Sequence, residues 1–306
     1  YSAIKQLVEG VLAGVILCLA IAALYAQLIR TVRKESDMKK ITSKGCISLI
    51  PEIAVKKREK SKKQQLLLTN KRVDWGFKQS VQAAQLRIEK QMEQEHKQVL
   101  LVSSTLPQEG KSMTAVNLAL AFMQHEKKTV LIDGDLRKPS VAEMLGMEEQ
   151  KGLAEYLKGN AKVKEVLQKK GDLTVIQGGK VHGNISSLMD ESRMEELMTF
   201  LKSEFDYVII DTPPAYLFSD AAILAGYADR VLYVVRHDMA EIPQIEKGME
   251  SFIQEDKLLG YLINRSQKGF ASYGKYGYGK YGYGKYGKYQ RYVDVKEDDM
   301  DTEDSL

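Results

Sequence analysis

Residues 99–112 read Val-Leu-Leu-Val-Ser-Ser-Thr-Leu-Pro-Gln-Glu-Gly-Lys-Ser, and the fold turns on them. VLLVS at 99–103 is apolar on both faces and too short for a helix of ordinary length, which predicts a strand covered on both sides. Pro107 and Gly110 interrupt it, and MTAVNLALAFMQ at 113–124 resumes with helical spacing. The strand, loop and helix match the P-loop pattern from its sixth position onward, with Thr105 where the first glycine usually stands. The residue types suit phosphate. Backbone N–H groups at a helix N-terminus carry partial positive charge toward an anion. Gly110 allows close backbone approach, and Met113 follows in the helix's first turn. Lys111 can place its ammonium on β and γ phosphates, and Ser112 can offer a hydroxyl to Mg²⁺.

Beyond the loop lie further short apolar runs: TVLID at 129–133, LTVIQ at 173–177, YVIID at 207–211, RVLYVV at 230–235 and LLGYLIN at 258–264. Helix-length segments separate them, so a doubly wound, mostly parallel α/β sheet is expected, roughly 170 residues in one core. The second strand ends in Asp133-Gly134-Asp135-Leu136-Arg137-Lys138-Pro139 and the fourth in Asp211-Thr212-Pro213-Pro214. Ligands of open parallel sheets sit at the carboxyl ends of the strands, so these aspartates should converge on the phosphate loop. Upstream, residues 64–98 carry Phe77, Val81, Ala84 and Ile88 at helical spacing and predict an amphipathic helix.

Composition narrows the function. The 306 residues are 44% hydrophobic and 28% charged, as in globular proteins, and the net charge of +4 is too small for nonspecific nucleic-acid binding. Two cysteines, Cys18 and Cys46, exclude a disulfide scaffold and read as reduced. From Leu7 to Ile29 the sequence LVEGVLAGVILCLAIAALYAQLI carries no charge after Glu9. Twenty-three helical residues span roughly 35 Å, enough for a bilayer's hydrocarbon core. Arg30 to Lys63 holds twelve Lys/Arg against four acids, which places the rest of the chain in the cytoplasm. KKREKSKK at 56–63 is either a lipid-headgroup contact or a solvated linker.

Tyrosine is the anomaly. Eight of sixteen tyrosines (Tyr273, Tyr276, Tyr278, Tyr281, Tyr283, Tyr286, Tyr289 and Tyr292) fall in the repeat YGKYGYGKYGYGKYGKYQRY, and residues 294–306 carry seven acids and one lysine. With glycine throughout and no aliphatic side chain to bury, the repeat should be disordered.

DGDLRKP at 133–139, FDYVIIDTPP at 205–214, GYLINR at 260–265 and the terminal tyrosines together resemble the bacterial tyrosine kinases of capsule and exopolysaccharide synthesis, over roughly residues 80–292. The span and ISLIPEI at 47–53 resemble the single-chain form, in which a polysaccharide co-polymerase region with two membrane helices precedes the kinase. The organisation expected is an extracytoplasmic remnant at 1–6, a membrane helix at 7–29, a basic linker at 30–76, a kinase domain at 77–268 and a tail at 269–306, anchored in a bacterial inner or plasma membrane.

The resemblance implies ATP and Mg²⁺ as cofactors. Gly110, Lys111, Ser112 and Met113 would bind nucleotide, with Lys111 and Ser112 the Walker A ligands. Asp133 and Asp135 would be the Walker A′ carboxylates and Asp211 the Walker B carboxylate, with Ser112, Asp133 and Asp211 near the metal. Asp133 would orient or deprotonate the incoming tyrosine, and Arg137 would either neutralise transition-state charge or brace a carboxylate. The eight tail tyrosines would be phosphoacceptors. Implied partners are a second copy of the chain, the polysaccharide synthesis and export machinery, a cognate tyrosine phosphatase and membrane lipid, with no nucleic acid. The related partitioning ATPases carry a second loop lysine where Leu106 stands. The family also builds rings through a Glu-x-x-Arg-x-x-Arg helix, whose positions here read Val81, Ala84 and Arg87; only the last agrees. The competing reading is a membrane-tethered ATPase switch that recruits partners without phosphorylating tyrosine.

Overall fold

The computed structural model describes residues 2–28, 30–53, 66–181, 188 and 191–267. The KKREKSKK stretch and all eight tail tyrosines lie outside them. Eight strands form one sheet: β1 (Cys46–Pro51), β2 (Val99–Ser104), β3 (Thr129–Asp133), β4 (Gln168–Lys170), β5 (Leu173–Ile176), β6 (Tyr207–Asp211), β7 (Arg230–Arg236) and β8 (Leu258–Ser266), in the spatial order β1-β8-β7-β2-β6-β3-β5-β4. All pairings are parallel except that of β4 with β5.

The unbroken apolar runs are explained by two cores. In β2, Val99 and Leu101 point into one layer while Leu100 and Val102 point into the other, and β3, β6 and β7 repeat the alternation. The first layer is closed by α6 (Leu153–Leu157), α8 (Glu191–Glu204), α9 (Asp220–Ala225) and α10 (Ile242–Gln254) through Leu153, Leu197, Leu224 and Phe252. The second is closed by α3 (Trp75–Gln94) and α4 (Lys111–Gln124) through Phe77, Ile88, Leu118 and Phe122. Asp74 caps α3 by accepting the Phe77 amide at 2.9 Å. Val81 and Ala84 are buried in this layer, and Arg87 donates to the Ile47 carbonyl at 2.6 Å. The three helix positions compared with the ring motif thus face inward or onto β1. The remaining helices are α1 (Ser2–Leu28), α2 (Glu35–Met38), α5 (Val141–Leu145) and α7 (Val163–Val166).

The stretch expected to be a linker packs on the domain at residues 30–53. Thr31 bridges Glu241, Asp238 donates its amide to the Val32 carbonyl at 2.9 Å, and Arg33 pairs with Asp238 at 2.8 Å. Val32 and Met38 are buried, and β1 adds an edge strand beside β8. Burial of Ile47 and Ile50 drives the addition, and Pro51 is tolerated at an edge. α1 contains a segment, Ala3–Ile21, long and apolar enough to cross a membrane, and its side chains such as Leu12 and Leu19 are exposed.

β1 approaches β8 closely at Gly260, where a Cβ would stand 2.7 Å from the Gly45 carbonyl and 2.9 Å from the Ile47 side chain. Gly260→Ala should therefore displace β1, costing about 1–3 kcal/mol in urea unfolding and speeding amide exchange at 46–51. Unchanged exchange there would contradict this account.

Candidate active site

The parallel registers build the site. Asp133 and Asp211 are register partners across β3 and β6, and Val102, three residues before the loop, is level with Asp211 on β2. The three strands that end here therefore deliver two carboxylates and the loop to one edge. α4 begins at Lys111, so Lys111 and Ser112 occupy its first turn, both largely buried. Gly110 precedes them at φ +97°, with a Cβ position only 2.0 Å from Asn264 Nδ2, so no side chain fits.

Lys111 is the hub. Its Nζ donates to Asp135 Oδ2 at 2.8 Å and to Ser112 Oγ at 3.1 Å, and lies 3.8 Å from Asp211 Oδ1. Burial works to remove its proton, but the Asp211 and Asp135 charges outweigh it and hold the ammonium above its ordinary value. Asp135 Oδ1 accepts the Lys138 amide at 3.1 Å. Asp133 Oδ2 accepts the Ser140 and Val141 amides at 2.8 and 3.0 Å, at the start of α5. Asp133 Oδ1 and both Asp211 oxygens are buried without a hydrogen-bond partner.

Burial, then the Asp211 charge, push Asp133 up to about 7, against the two amides. Burial likewise raises Asp211, with Lys111 opposing. One ammonium thus faces three carboxylates. Among the described residues no three His, Cys, Asp or Glu side chains are arranged to hold a metal by themselves. Mg²⁺ needs no such cage, since it commonly takes one or two carboxylates plus phosphate oxygens and water. The orphaned Asp211 and Asp133 oxygens, with Ser112 alongside, fit that chemistry.

Arg137 is braced. Its Nε and Nη2 donate to the buried Asp220 carboxylate at 2.5 and 3.1 Å, and its guanidinium lies 4.3 Å from the Phe218 ring centroid. Met113 packs against the second core, leaving its backbone at the helix start.

Several known proteins resemble the chain. It is 35% identical over 183 residues to the tyrosine-protein kinase CpsD of Streptococcus agalactiae, covering 58% of this chain and 80% of that protein. Over 182 residues it is 35% identical to the tyrosine-protein kinase YwqD of Bacillus subtilis, covering 58% and 77%. The chain belongs to the bacterial tyrosine-protein kinases. Tyrosine-protein kinase wzc of Salmonella typhimurium matches over 228 residues at 29% identity, 72% of this kinase but 32% of wzc. The family model described as ParA, NUBPL iron-transfer P-loop NTPase, matches residues 95–225. Among solved structures, the chimerical protein CapA2B2 aligns with TM-score 0.68 and 25% identity over 77% of this chain and 100% of its own. The kinase domain of the Escherichia coli tyrosine kinase ETK shares the fold, with TM-score 0.67 at 24% identity over 83% and 99%. The protein is therefore a nucleotide-binding tyrosine kinase.

The candidate site brings Gly110, Lys111, Ser112, Asp133, Asp135 and Asp211 together and sets Arg137 at its rim. Three further participants are given no role by the sequence motifs. Asp220 holds Arg137 from 83 residues away. Asn264 donates to the Glu109 carbonyl at 2.7 Å, and Glu109 is fully buried. Of these, only Asn264 falls within a stretch that the family resemblance marks.

The raised carboxylates predict a pH dependence. Folded Asp133 keeps its proton up to about pH 7, and Glu109, raised mainly by burial, does likewise, whereas their ordinary values are 3.8 and 4.5. Between these limits the folded kinase binds more protons than the unfolded chain, so its stability falls as pH rises. The melting temperature without nucleotide should drop from about pH 5 to 8. Lys111→Met removes the ammonium beside the buried carboxylates and should extend the decline to higher pH. A flat or rising wild-type profile would refute the assignment.

Proposed function

We propose that this kinase is membrane-anchored, uses ATP with Mg²⁺, and phosphorylates the tyrosines of its own C-terminal tail, thereby regulating capsular or exopolysaccharide polymerisation and export. The observation that carries the proposal is the position of β8. It closes at Ser266 on the edge that holds the phosphate loop, with Asn264 bonded to Glu109. The chain thus leaves the domain beside the nucleotide site. Tyr273 follows Asn264 by nine residues, a reach of at most about 30 Å. A chain of about 20 Gly-rich residues spans on the order of 25 Å, which supports phosphorylation between neighbouring copies. Anchoring through α1 in one membrane raises their effective concentration.

In this reading Lys111 leaves Asp135 to meet the β and γ phosphates. Asp211, Ser112 and Asp133 would hold Mg²⁺, which when bound would supply neutralisation of phosphate charge. Asp133 Oδ1, buried and unpartnered, receives the acceptor hydroxyl. Free tyrosine titrates near about 10, so a positioned carboxylate aids removal of its proton. Arg137, fixed by Asp220, stands as a braced positive charge at the rim. Five basic residues are interleaved with the tail tyrosines (Lys275, Lys280, Lys285, Lys288, Arg291). Each phosphate adds about −1.5 to −2 charge, so about three neutralise the repeat and more make it repel the acidic end. Self-association should weaken as phosphorylation proceeds, and a phosphatase would reset it.

Incubation with Mg²⁺ and ATP followed by peptide mass spectrometry should find phosphotyrosine within 273–292, and Lys111→Met should reduce it at least 100-fold. Wild-type protein without phosphate on these tyrosines would defeat the proposal.

A further inference from the structure

The phosphate loop is held from the side by residues unrelated to its phosphate contacts. Thr105 Oγ1 lies 3.1 Å from the buried Tyr233 hydroxyl on β7. Arg236, the last residue of β7, donates from Nη1 to the Gln108 carbonyl at 3.3 Å. Asn264 of β8 holds the Glu109 carbonyl. At the centre of these ties is the Glu109 side chain. Its Oε2 accepts the Leu106 amide at 2.6 Å, closing the loop on itself, and its Oε1 accepts the Arg236 amide at 3.2 Å, fastening the loop to β7. The residue is completely buried, although a glutamate in a loop would ordinarily be solvated.

A second observation points the same way. Gln108, between the two stapled residues, has φ +67°, a left-handed conformation that a non-glycine residue holds only where its surroundings impose it. The ties at Leu106, Glu109 and the Gln108 carbonyl supply that constraint on either side of the strained residue.

We propose that Glu109 is a positioning residue for nucleotide binding, its carboxylate acting as a staple between Leu106 and Arg236 that holds residues 105–110 in the phosphate-receiving conformation. Glu109 acts through the loop and touches neither phosphate nor acceptor. Above about pH 7, where Glu109 is ionised, its bonds to the two backbone amides are charge-assisted, the stronger kind, and the buried carboxylate accepts both without moving either donor. Glutamine is nearly isosteric but offers one acceptor and one donor group, so its NH₂ must face an N–H and one tie is lost. The inference concerns nucleotide affinity and is independent of whether the tail is the acceptor.

The test uses the full chain in detergent at about pH 8, where Glu109 is ionised. Mg-ADP titrated into Glu109→Gln should give a Kd about tenfold above wild type. KM for ATP should rise by a similar factor while kcat stays within threefold. The melting temperature and circular dichroism establish that the variant is folded. A folded variant with wild-type Kd overturns the proposal. Should the variant not fold, amide exchange in the wild type decides: protection of both the Leu106 and Arg236 amides supports the staple, and exchange of either at the rate of an open loop rejects it.

Discussion

The nucleotide edge of this kinase depends on one buried ammonium. Parallel pairing of β3 with β6 sets Asp133 level with Asp211, and the turn after β3 adds Asp135. Carboxylates so placed, out of water, repel one another and lose solvation. Lys111, delivered by the first turn of α4, answers Asp135 directly and Asp211 at longer range. Removing one member of such a buried group commonly costs about 3–5 kcal/mol, because its partner is left uncompensated. The residual negative charge and the unpartnered oxygens make the same cluster receptive to a divalent cation. Stability and ligand chemistry here arise from one electrostatic imbalance.

That imbalance requires a rigid frame. β2 lies between β6 and β7 near the middle of the sheet, so the loop after it has a strand end on each side. From the β6 side come Asp211 and, one strand further, Asp133. From the β7 side come the Arg236 amide and the Tyr233 hydroxyl. The loop is therefore walled by chemistry on one flank and by structural hydrogen bonds on the other, a division that strand order alone imposes.

Legibility in the sequence obeys the same physics. The strands β2, β3, β5, β6, β7 and β8 are legible because a strand covered on both faces must be apolar at every position. Lys111, Ser112, Asp133, Asp135 and Asp211 are legible because they terminate such strands or open the helix after one. β1 and β4 are not. Cys46–Pro51 contains a serine and a proline and becomes a strand because β8 has a free edge. Gln168–Lys170 is wholly polar and pairs antiparallel with β5 only because the turn at Gly171 returns it. Asp220 and Glu109 are illegible for another reason. Each has a partner more than 80 residues away, Arg137 for Asp220 and Arg236 for Glu109, which nothing in local pattern names. The ring-helix comparison agrees with the apolar spacing, since Val81 and Ala84, which depart from the motif, are core residues and Arg87 bonds to the Ile47 carbonyl.

The antiparallel bridge of Thr31 with Glu241 has a geometric consequence for the whole molecule. α1 ends at Leu28, and three residues later the chain is already paired with the turn between β7 and α10. An interval of three residues spans at most about 10 Å, so the domain has almost no slack on its helix. The attachment point is also close to Arg236, the residue that steadies the phosphate loop. If α1 crosses a membrane, a domain tied this way stays within a short distance of the helix end instead of ranging as on a long leash. Copies gathered side by side through such helices would hold their nucleotide edges at a common height.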